Sequence, residues 1–175
     1  MSPPANPSPL DRLLRADAAL SARLALPPGP LRWLALLLAH SGNSPLWLAG
    51  GTAAALWGDL FWRAAGVRVL AGTVAGGVAA TILKFAFRRR RPGQSFAGLY
   101  SRLDQHAFPS GHATRAGCVT VVLASLLPGW AAALLAAWAG LVCLARVSLQ
   151  VHYLLDVLVG LLVGGLVGAL LLTLL

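Results

Sequence analysis

Long apolar runs separated by short polar or charged breaks organise this chain. Four of the runs approach the roughly 20 residues that a helix needs to cross a bilayer, and they cover residues 67–87, 112–127, 130–147 and 153–175. Two shorter runs come first, at residues 31–40 and 45–58, separated by Ser-Gly-Asn-Ser. Because backbone polar groups that face lipid must be paired within their own segment, these runs are predicted to be helices. The pattern predicts an all-α, polytopic transmembrane helical bundle with five to six spanning helices.

The residues before this bundle follow a different pattern. Residues 1–9 are rich in Pro and Ser and are predicted to be disordered. Residues 11–26 mix leucines with charged side chains, which is typical of an amphipathic helix lying in the membrane interface, and Pro27 ends the run. No signal peptide is expected, since there is no early apolar core. We therefore predict an N-terminal part, residues 1–30, and a transmembrane domain, residues 31–175.

Composition supports a membrane protein and argues against a nucleic-acid partner. Hydrophobic residues make up 58% of the chain and charged residues 11%, against about 25% charged in soluble domains. The net charge is +9, from 14 Lys and Arg against five acidic residues. These cations lie at the ends of apolar runs, with no basic tail and no interleaved aromatics to stack bases. The partners expected are therefore the membrane and an anionic lipid.

The most informative pair of polar residues is His152 and Asp156, at the start of the last apolar run. Residues four apart share a helix face, so Asp156 can accept a hydrogen bond from one imidazole nitrogen of His152. The other nitrogen then stays basic and directed outward, as in a nucleophile with its orienting group. From these two residues alone, a structural His–Asp pair at the interface remains the alternative.

A second patch, Pro109-Ser110-Gly111-His112, opens the run that follows it. Ser110 can cap the helix, and Gly111 lets the backbone approach an anion at the positive helix end. His112 could then donate a proton to a leaving oxygen. On its own, the patch is equally well explained as a capped helix start.

The third patch supplies cations. Lys84 and Arg91 lie seven residues apart, two turns along one face, and Arg146 adds a third cation from another segment. Guanidinium groups bind phosphate oxygens bidentately and stay charged at any relevant pH. The neighbouring residues 88–90 are also arginines, and we expect them to face headgroups or solvent. No Cys/His or Asp/Glu cluster has the spacing of a metal site, so metal-independent chemistry is expected.

Counting alternate helices places the three patches on one side of the membrane. The opposite side is then expected to hold Arg63, Arg68 and the arginines of the N-terminal helix, which are Arg12, Arg15 and Arg23. If the patch cations bind a ligand, they do not count in the positive-inside rule, and the patch side becomes external. This reasoning predicts a plasma (inner) membrane protein whose active site faces the periplasm or exterior.

Glycines recur at four-residue spacing in two runs, and they are Gly72, Gly76, Gly160, Gly164 and Gly168. Such spacing allows helices to approach closely. Packing within the chain is the expected use, and a homodimer remains possible.

Taken together, the patches resemble the signature of the type 2 phosphatidic acid phosphatase superfamily, which also includes vanadium haloperoxidases. That signature is K-x-x-x-x-x-x-R-P, then P-S-G-H, then S-R-x-x-x-x-x-H-x-x-x-D. This chain matches the spacings with Lys84 to Pro92, Pro109 to His112 and Arg146 to Asp156. One position departs, because Ala145 stands where the family usually has Ser, and a hydroxyl expected near the phosphate is absent.

The resemblance implies a reaction in which His152 attacks phosphorus to form a phosphohistidine, with Asp156 orienting its ring. His112 would protonate the leaving group and then activate water. The phosphoryl oxygens would be held by Lys84, Arg91, Ser110, Gly111 and Arg146. No cofactor is implied.

The resemblance also implies a lipid phosphomonoester or diphosphate as substrate. The small size is similar to that of the compact bacterial members, which favours a polyprenyl phosphate or diphosphate of envelope biosynthesis. Phosphatidic acid or phosphatidylglycerol phosphate is an alternative, and so is transfer of the phosphate to another lipid. A haloperoxidase and a non-catalytic membrane scaffold are the remoter alternatives.

Overall fold

A computed structural model of the chain describes residues 8–92 and 106–174, and every regular element in these ranges is an α-helix. The seven helices are α1 (Pro9–Arg23), α2 (Pro30–Ser41), α3 (Ser44–Trp57), α4 (Leu60–Phe87), α5 (Gly111–Ala124), α6 (Gly129–Ser148) and α7 (Leu154–Leu172). The predicted all-α class is confirmed. The predicted disorder falls mostly on residues 1–7, outside the described residues.

Three helices, α4, α6 and α7, are long and apolar enough to cross a membrane. The longest, α4, has 28 residues and starts at Leu60, before the predicted residue 67, because Asp59 accepts a hydrogen bond from the N–H of Trp62 at 3.0 Å and caps the helix. The shorter α5 has 14 residues and packs against α4, α6 and α7. It forms the buried centre of the bundle.

The two short helices α2 and α3 follow one another across the bundle. α2 packs along α6. Just before α2, the N–H of Leu26 donates to the carbonyl of Ser148 at the end of α6. At the end of α2, Ser41 accepts a hydrogen bond from the indole of Trp138, near the middle of α6. α3 then packs along α4. The helices have 12 and 14 residues, so together they cover about 39 Å at 1.5 Å per residue. The break between them therefore lies inside the bundle.

The N-terminal helix lies at the end of the bundle where α7 begins. The backbone N–H groups of Leu154 and Leu155 donate to Ser21 and Asp17 of α1, at 2.9 Å and 3.0 Å. Asp17 and Ser21 are buried, whereas three of the four leucines of α1 are exposed, and these are Leu10, Leu13 and Leu20. The exposed leucines suit a helix that meets the lipid interface.

This position corrects one sequence-based expectation. Arg12, Arg15 and Arg23 were expected on the side opposite the three patches, but α1 is held at the patch side by the polar contacts of Asp17 and Ser21. The first backbone N–H groups of a helix have no acceptors within that helix. For two such groups at the start of α7, side chains of α1 are the acceptors. With these arginines at the patch end, the charge count no longer favours an external active site.

The spaced glycines pack helices within the chain. A Cβ atom at Gly76 would lie 3.3 Å from the carbonyl oxygen of Thr114 on α5. Between α5 and α7, a Cβ at Gly160 would lie 2.9 Å from the carbonyl oxygen of Ser110. A Cβ at Gly164 would collide with the carbonyl oxygen of Thr114. The expected intramolecular use of these glycines is confirmed, and it lets α5 lie between α4 and α7.

Candidate active site

The three sequence patches meet at one end of the bundle. The N–H of Ser110, before α5, donates to the backbone oxygen of Asp156 in α7 at 2.9 Å. The N–H of His152 donates to the backbone oxygen of Arg146 at the end of α6, at 3.3 Å. His112 lies near enough to Lys84, Arg146 and His152 for their charges to act on it. Residues from four helices and their connections therefore form one cluster.

His152 is held by the tight connection between α6 and α7. Gln150 adopts a left-handed conformation, with φ of 57°, which is uncommon for a residue with a side chain. Its side-chain amide donates to the carbonyl of Val147 at 2.9 Å and to that of Ser21 at 2.7 Å, which fixes the turn. His152 itself is 1% exposed. The nucleophile predicted from the sequence is thus a buried, rigidly placed imidazole.

Asp156 lies beside His152, as the four-residue spacing predicts. Its Oδ2 is 3.6 Å from Nδ1 of His152, which is longer than a hydrogen bond. The same oxygen accepts the N–H of Tyr153 at 2.8 Å and caps α7. The carboxylate is wholly buried. It therefore acts on the imidazole as a close, fixed negative charge.

A residue outside the predicted site completes this arrangement. The guanidinium of Arg89 donates to Oδ1 of Asp156 and to Oδ2 of Asp17, both at 2.6 Å. It also lies 4.1 Å from the ring centroid of Tyr153, which places a cation against an aromatic face. The expectation that Arg89 faces headgroups or solvent is wrong, although Arg88 and Arg90 are exposed.

The sequence contained one signal for this contact. Asp17 and Asp156 both lie among apolar residues, and a buried carboxylate needs a cation or hydrogen-bond donors to offset its lost hydration. The four consecutive arginines at residues 88–91 offered such a cation. Which of them turns inward depends on the end of α4, where Arg88 adopts a left-handed conformation with φ of 46°.

The start of α5 has the geometry of an anion site. Ser110 is fully buried and caps the helix, and its carbonyl accepts both the N–H and the hydroxyl of Thr114 at 2.9 Å and 3.0 Å. A Cβ at Gly111 would lie 3.4 Å from the guanidinium of Arg115, so the glycine leaves room for this cation. Helix N-termini favour anions through their free N–H groups and dipole.

His112 contacts the break between α2 and α3. Its Nε2 is 2.8 Å from Oδ1 of Asn43, a residue outside the predicted site. The break is itself held in place, because the indoles of Trp47 and Trp138 donate to the carbonyl and hydroxyl of Ser41 at 2.8 Å and 2.9 Å. The polar break Ser-Gly-Asn-Ser between two short apolar runs was the available sequence signal.

The predicted cations surround this pair of histidines. Lys84, Arg91 and Arg146 are all partly buried and engaged in interactions. The charge of Arg91 acts on Asp156, and those of Lys84 and Arg146 act on His112, as does that of Arg115. A set of fixed cations around two imidazoles can bind a phosphoryl group and stabilise charge that develops on its oxygens.

The position that departs from the family signature lies in an apolar group beside α2. Ala145 is 3% exposed and packs in an apolar group with Ala35, Ala39, Leu149 and Val151. A hydroxyl at this position would lie between α2 and α6.

Comparison with known proteins agrees with the geometry. The sequence model of the PAP2 superfamily matches residues 65–175. A transmembrane PAP2-type phosphatidylglycerolphosphate phosphatase from Bacillus subtilis is similar in structure, with a TM-score of 0.73 and 28% identity, over 93% of this chain and 86% of that one. LpxE from Aquifex aeolicus shares the fold, with a TM-score of 0.66 and 20% identity, over 89% of this chain and 93% of that one.

Proposed function

The chain belongs to the PAP2 superfamily, and we propose that it is an integral-membrane lipid phosphatase acting through a phosphohistidine. The observation that carries the proposal is the buried His152 beside Asp156, with His112 and the cations of the first and third motifs nearby. Because Nδ1 of His152 faces Asp156, Nε2 is the nitrogen that attacks.

The reaction has two steps. First, Nε2 of His152 bonds to phosphorus while the bond to the lipid oxygen breaks, and His112 gives a proton to that oxygen. Second, water attacks phosphorus, His112 takes its proton, and the phosphorus–nitrogen bond breaks to release phosphate. Lys84, Arg91, Arg146 and the N–H groups at the start of α5 stabilise the charge on the phosphoryl oxygens in both steps.

A groove beside the site supports a substrate with a long apolar chain. It has a volume of about 390 Å³ and lies between α3 and α4, and its lining includes the apolar side chains of Leu48, Val74, Val78 and Ile82 and the polar ones of Ser44 and Arg115. Ser44 adjoins Asn43, which contacts His112. A lipid chain in this groove would place its phosphate near the histidines.

Two substrate classes follow from different observations. The largely apolar groove between α3 and α4 suits the long chain of a polyprenyl phosphate or diphosphate of envelope biosynthesis, which is our first candidate. Similarity to the Bacillus subtilis phosphatidylglycerolphosphate phosphatase favours a glycerolipid phosphomonoester as the second candidate. Release of phosphate from matched polyprenyl and glycerolipid substrates distinguishes them, and a strong glycerolipid preference would overturn the first.

The function itself is tested by phosphate release from purified protein in detergent with EDTA present. We expect release that survives EDTA and falls by roughly a thousandfold or more in His152→Ala. An exposed histidine, His40, provides the control through His40→Ala, which should keep full activity. Equal release by wild type and His152→Ala would refute the mechanism. Release only on addition of an alcohol acceptor would identify a phosphotransferase instead.

We further propose that the chain crosses the membrane five times. The crossings are α4, α5, α6 and α7, together with α2 and α3 acting as one broken helix. The sequence-based expectation of an external active site is kept as part of this proposal. Cations committed to the site, including Arg89 through its ion pairs with Asp17 and Asp156, are left out of the positive-inside count. The arginines of α1 count against the proposal, and the labelling experiment described in the Discussion decides between the two orientations.

A further inference from the structure

The contact of Arg89 with two carboxylates links the N-terminal helix to the proposed nucleophile. Asp17 lies on α1 and Asp156 on α7, and both accept from the same guanidinium at 2.6 Å. The side chains are 2% and 0% exposed, and that of Arg89 is 16% exposed. Charge-assisted hydrogen bonds of this length at buried groups are among the strong ones.

We propose that Arg89 and Asp17 are positioning residues, through which α1 sets the orientation and the charge of Asp156 beside His152. The inference rests on the proposed function, since it concerns the basicity of the attacking histidine. It makes α1 a working part of the site rather than a membrane anchor alone.

The geometry gives Arg89 a defined effect on orientation. It holds Oδ1 of Asp156, while the N–H of Tyr153 holds Oδ2. With both oxygens engaged, the carboxylate has one orientation, and its Oδ2 lies 3.6 Å from His152. Stacking on the ring of Tyr153 and the contact with Asp17 restrain the guanidinium in turn.

The charges give Asp17 a second effect. Arg89 carries one positive charge and contacts two carboxylates, so the group of three retains one negative charge next to His152. If Asp17 were neutral, Arg89 would cancel the charge of Asp156, and the imidazolium form of His152 would lose its stabilising partner. Asp17 therefore preserves the negative charge that the reaction uses.

The other charged and titratable groups near the site are the same in wild type and in the variants used for the test. They come from α4 and the segment after it, from α5 and from α6, and they are Lys84, Arg91, His112, Arg115 and Arg146. Because the substitutions below leave all of them in place, a change in the pH profile reports on the group formed by Asp17, Arg89 and Asp156.

The test measures kcat/KM against pH for full-length protein in detergent. The acid limb reports protonation of the attacking histidine in the free enzyme. We expect Asp17→Asn to move this limb to lower pH by roughly half a unit or more, because a negative charge is lost. The double variant Asp17→Asn with Arg89→Gln restores the net charge and should return the limb toward the wild-type position. The kcat of this double variant should be about tenfold lower than that of wild type, because Asp156 has lost its restraint, and its KM should be little changed.

Arg90→Gln is the matched control, because Arg90 is an exposed neighbour with the same charge. It should leave both the limb and kcat unchanged. If an Arg89 variant does not fold, as judged by gel filtration in detergent, the isosteric Asp17→Asn decides alone. An active wild type with an unmoved limb in Asp17→Asn would overturn this inference and leave the proposed function standing. A wild type that releases no phosphate would overturn the proposed function, and the inference with it.

Discussion

At the scale of single residues, each histidine of the site depends on a polar residue from a distant part of the chain, His112 directly and His152 through Asp156. His112 contacts Asn43 across 69 residues of sequence, and Asp156 of the His152 pair contacts Arg89 across 67. An imidazole must present a defined nitrogen to its substrate, and the partner of the other nitrogen decides which one that is. These partners therefore matter to the chemistry as much as the motif residues do.

The contact between Asn43 and His112 leads to a testable prediction for single residues. If its Oδ1 accepts from Nε2 of His112, the proton exchanged with substrate and water is carried on Nδ1. Asn43→Ala should then lower kcat by about tenfold, a part of what general acid–base catalysis supplies. Asn43→Asp adds a negative charge beside His112 and should keep it protonated to higher pH, moving the alkaline limb of the kcat profile upward.

The charged surroundings of His112 sharpen this test. The positive charges of Lys84, Arg115 and Arg146 lie close to it, so one added carboxylate should have a visible effect. His40→Asp serves as the control, since the His40 ring bonds to the carbonyl of Leu36 in its own helix. An alkaline limb that is identical in Asn43→Asp and wild type would contradict the assigned role.

At the scale of helices, close packing around α5 places the motif residues. α5 carries Ser110 and His112 at its start and meets α7 through Gly160, Gly164 and Gly168. Small residues let the two backbones approach, and the Ser110 to Asp156 hydrogen bond depends on that approach. The glycine spacing is thus part of how the site is assembled.

Two adjacent glycines of α7 give a matched test. A methyl group at Gly164 would collide with the carbonyl of Thr114, whereas one at Gly165 would meet nothing within 4 Å. We expect Gly164→Ala to destabilise the protein by about 1–3 kcal/mol through overpacking. Gly165→Ala should be neutral or slightly stabilising, because alanine has the higher helix propensity. Thermal unfolding in detergent measures both, and equal midpoints would contradict the packing described.

At the scale of the whole molecule, local patterns predicted the helices and the motif residues, but they did not predict long-range contacts. Apolar run lengths located α4, α6 and α7, and motif spacing located His112, His152 and their cations. The inward turn of Arg89 and the place of α1 depend on a contact between residues 72 positions apart, which no local pattern encodes. For the same reason, the sequence indicated a break between apolar runs at Asn43 but not its contact with His112.

Membrane orientation is the prediction that belongs to this scale. Both native cysteines, Cys118 and Cys143, are buried, so a single introduced thiol can be labelled selectively. If the patch end faces outward, a membrane-impermeant maleimide should label Arg90→Cys in intact cells. Trp130→Cys, an exposed site at the other end, should react only after the cells are opened. The reverse pattern would place the active site inside and agree with the arginines of α1 under the positive-inside rule.

The central claim is that His152 carries the phosphoryl group during turnover, and trapping that intermediate tests it most directly. A radiolabelled lipid phosphate is mixed with wild-type protein, and the reaction is quenched in base before a single turnover is complete. We predict acid-labile, base-stable label on the peptide that contains His152, and none in His152→Ala. Label that is absent from that peptide while phosphate is still released would contradict the account.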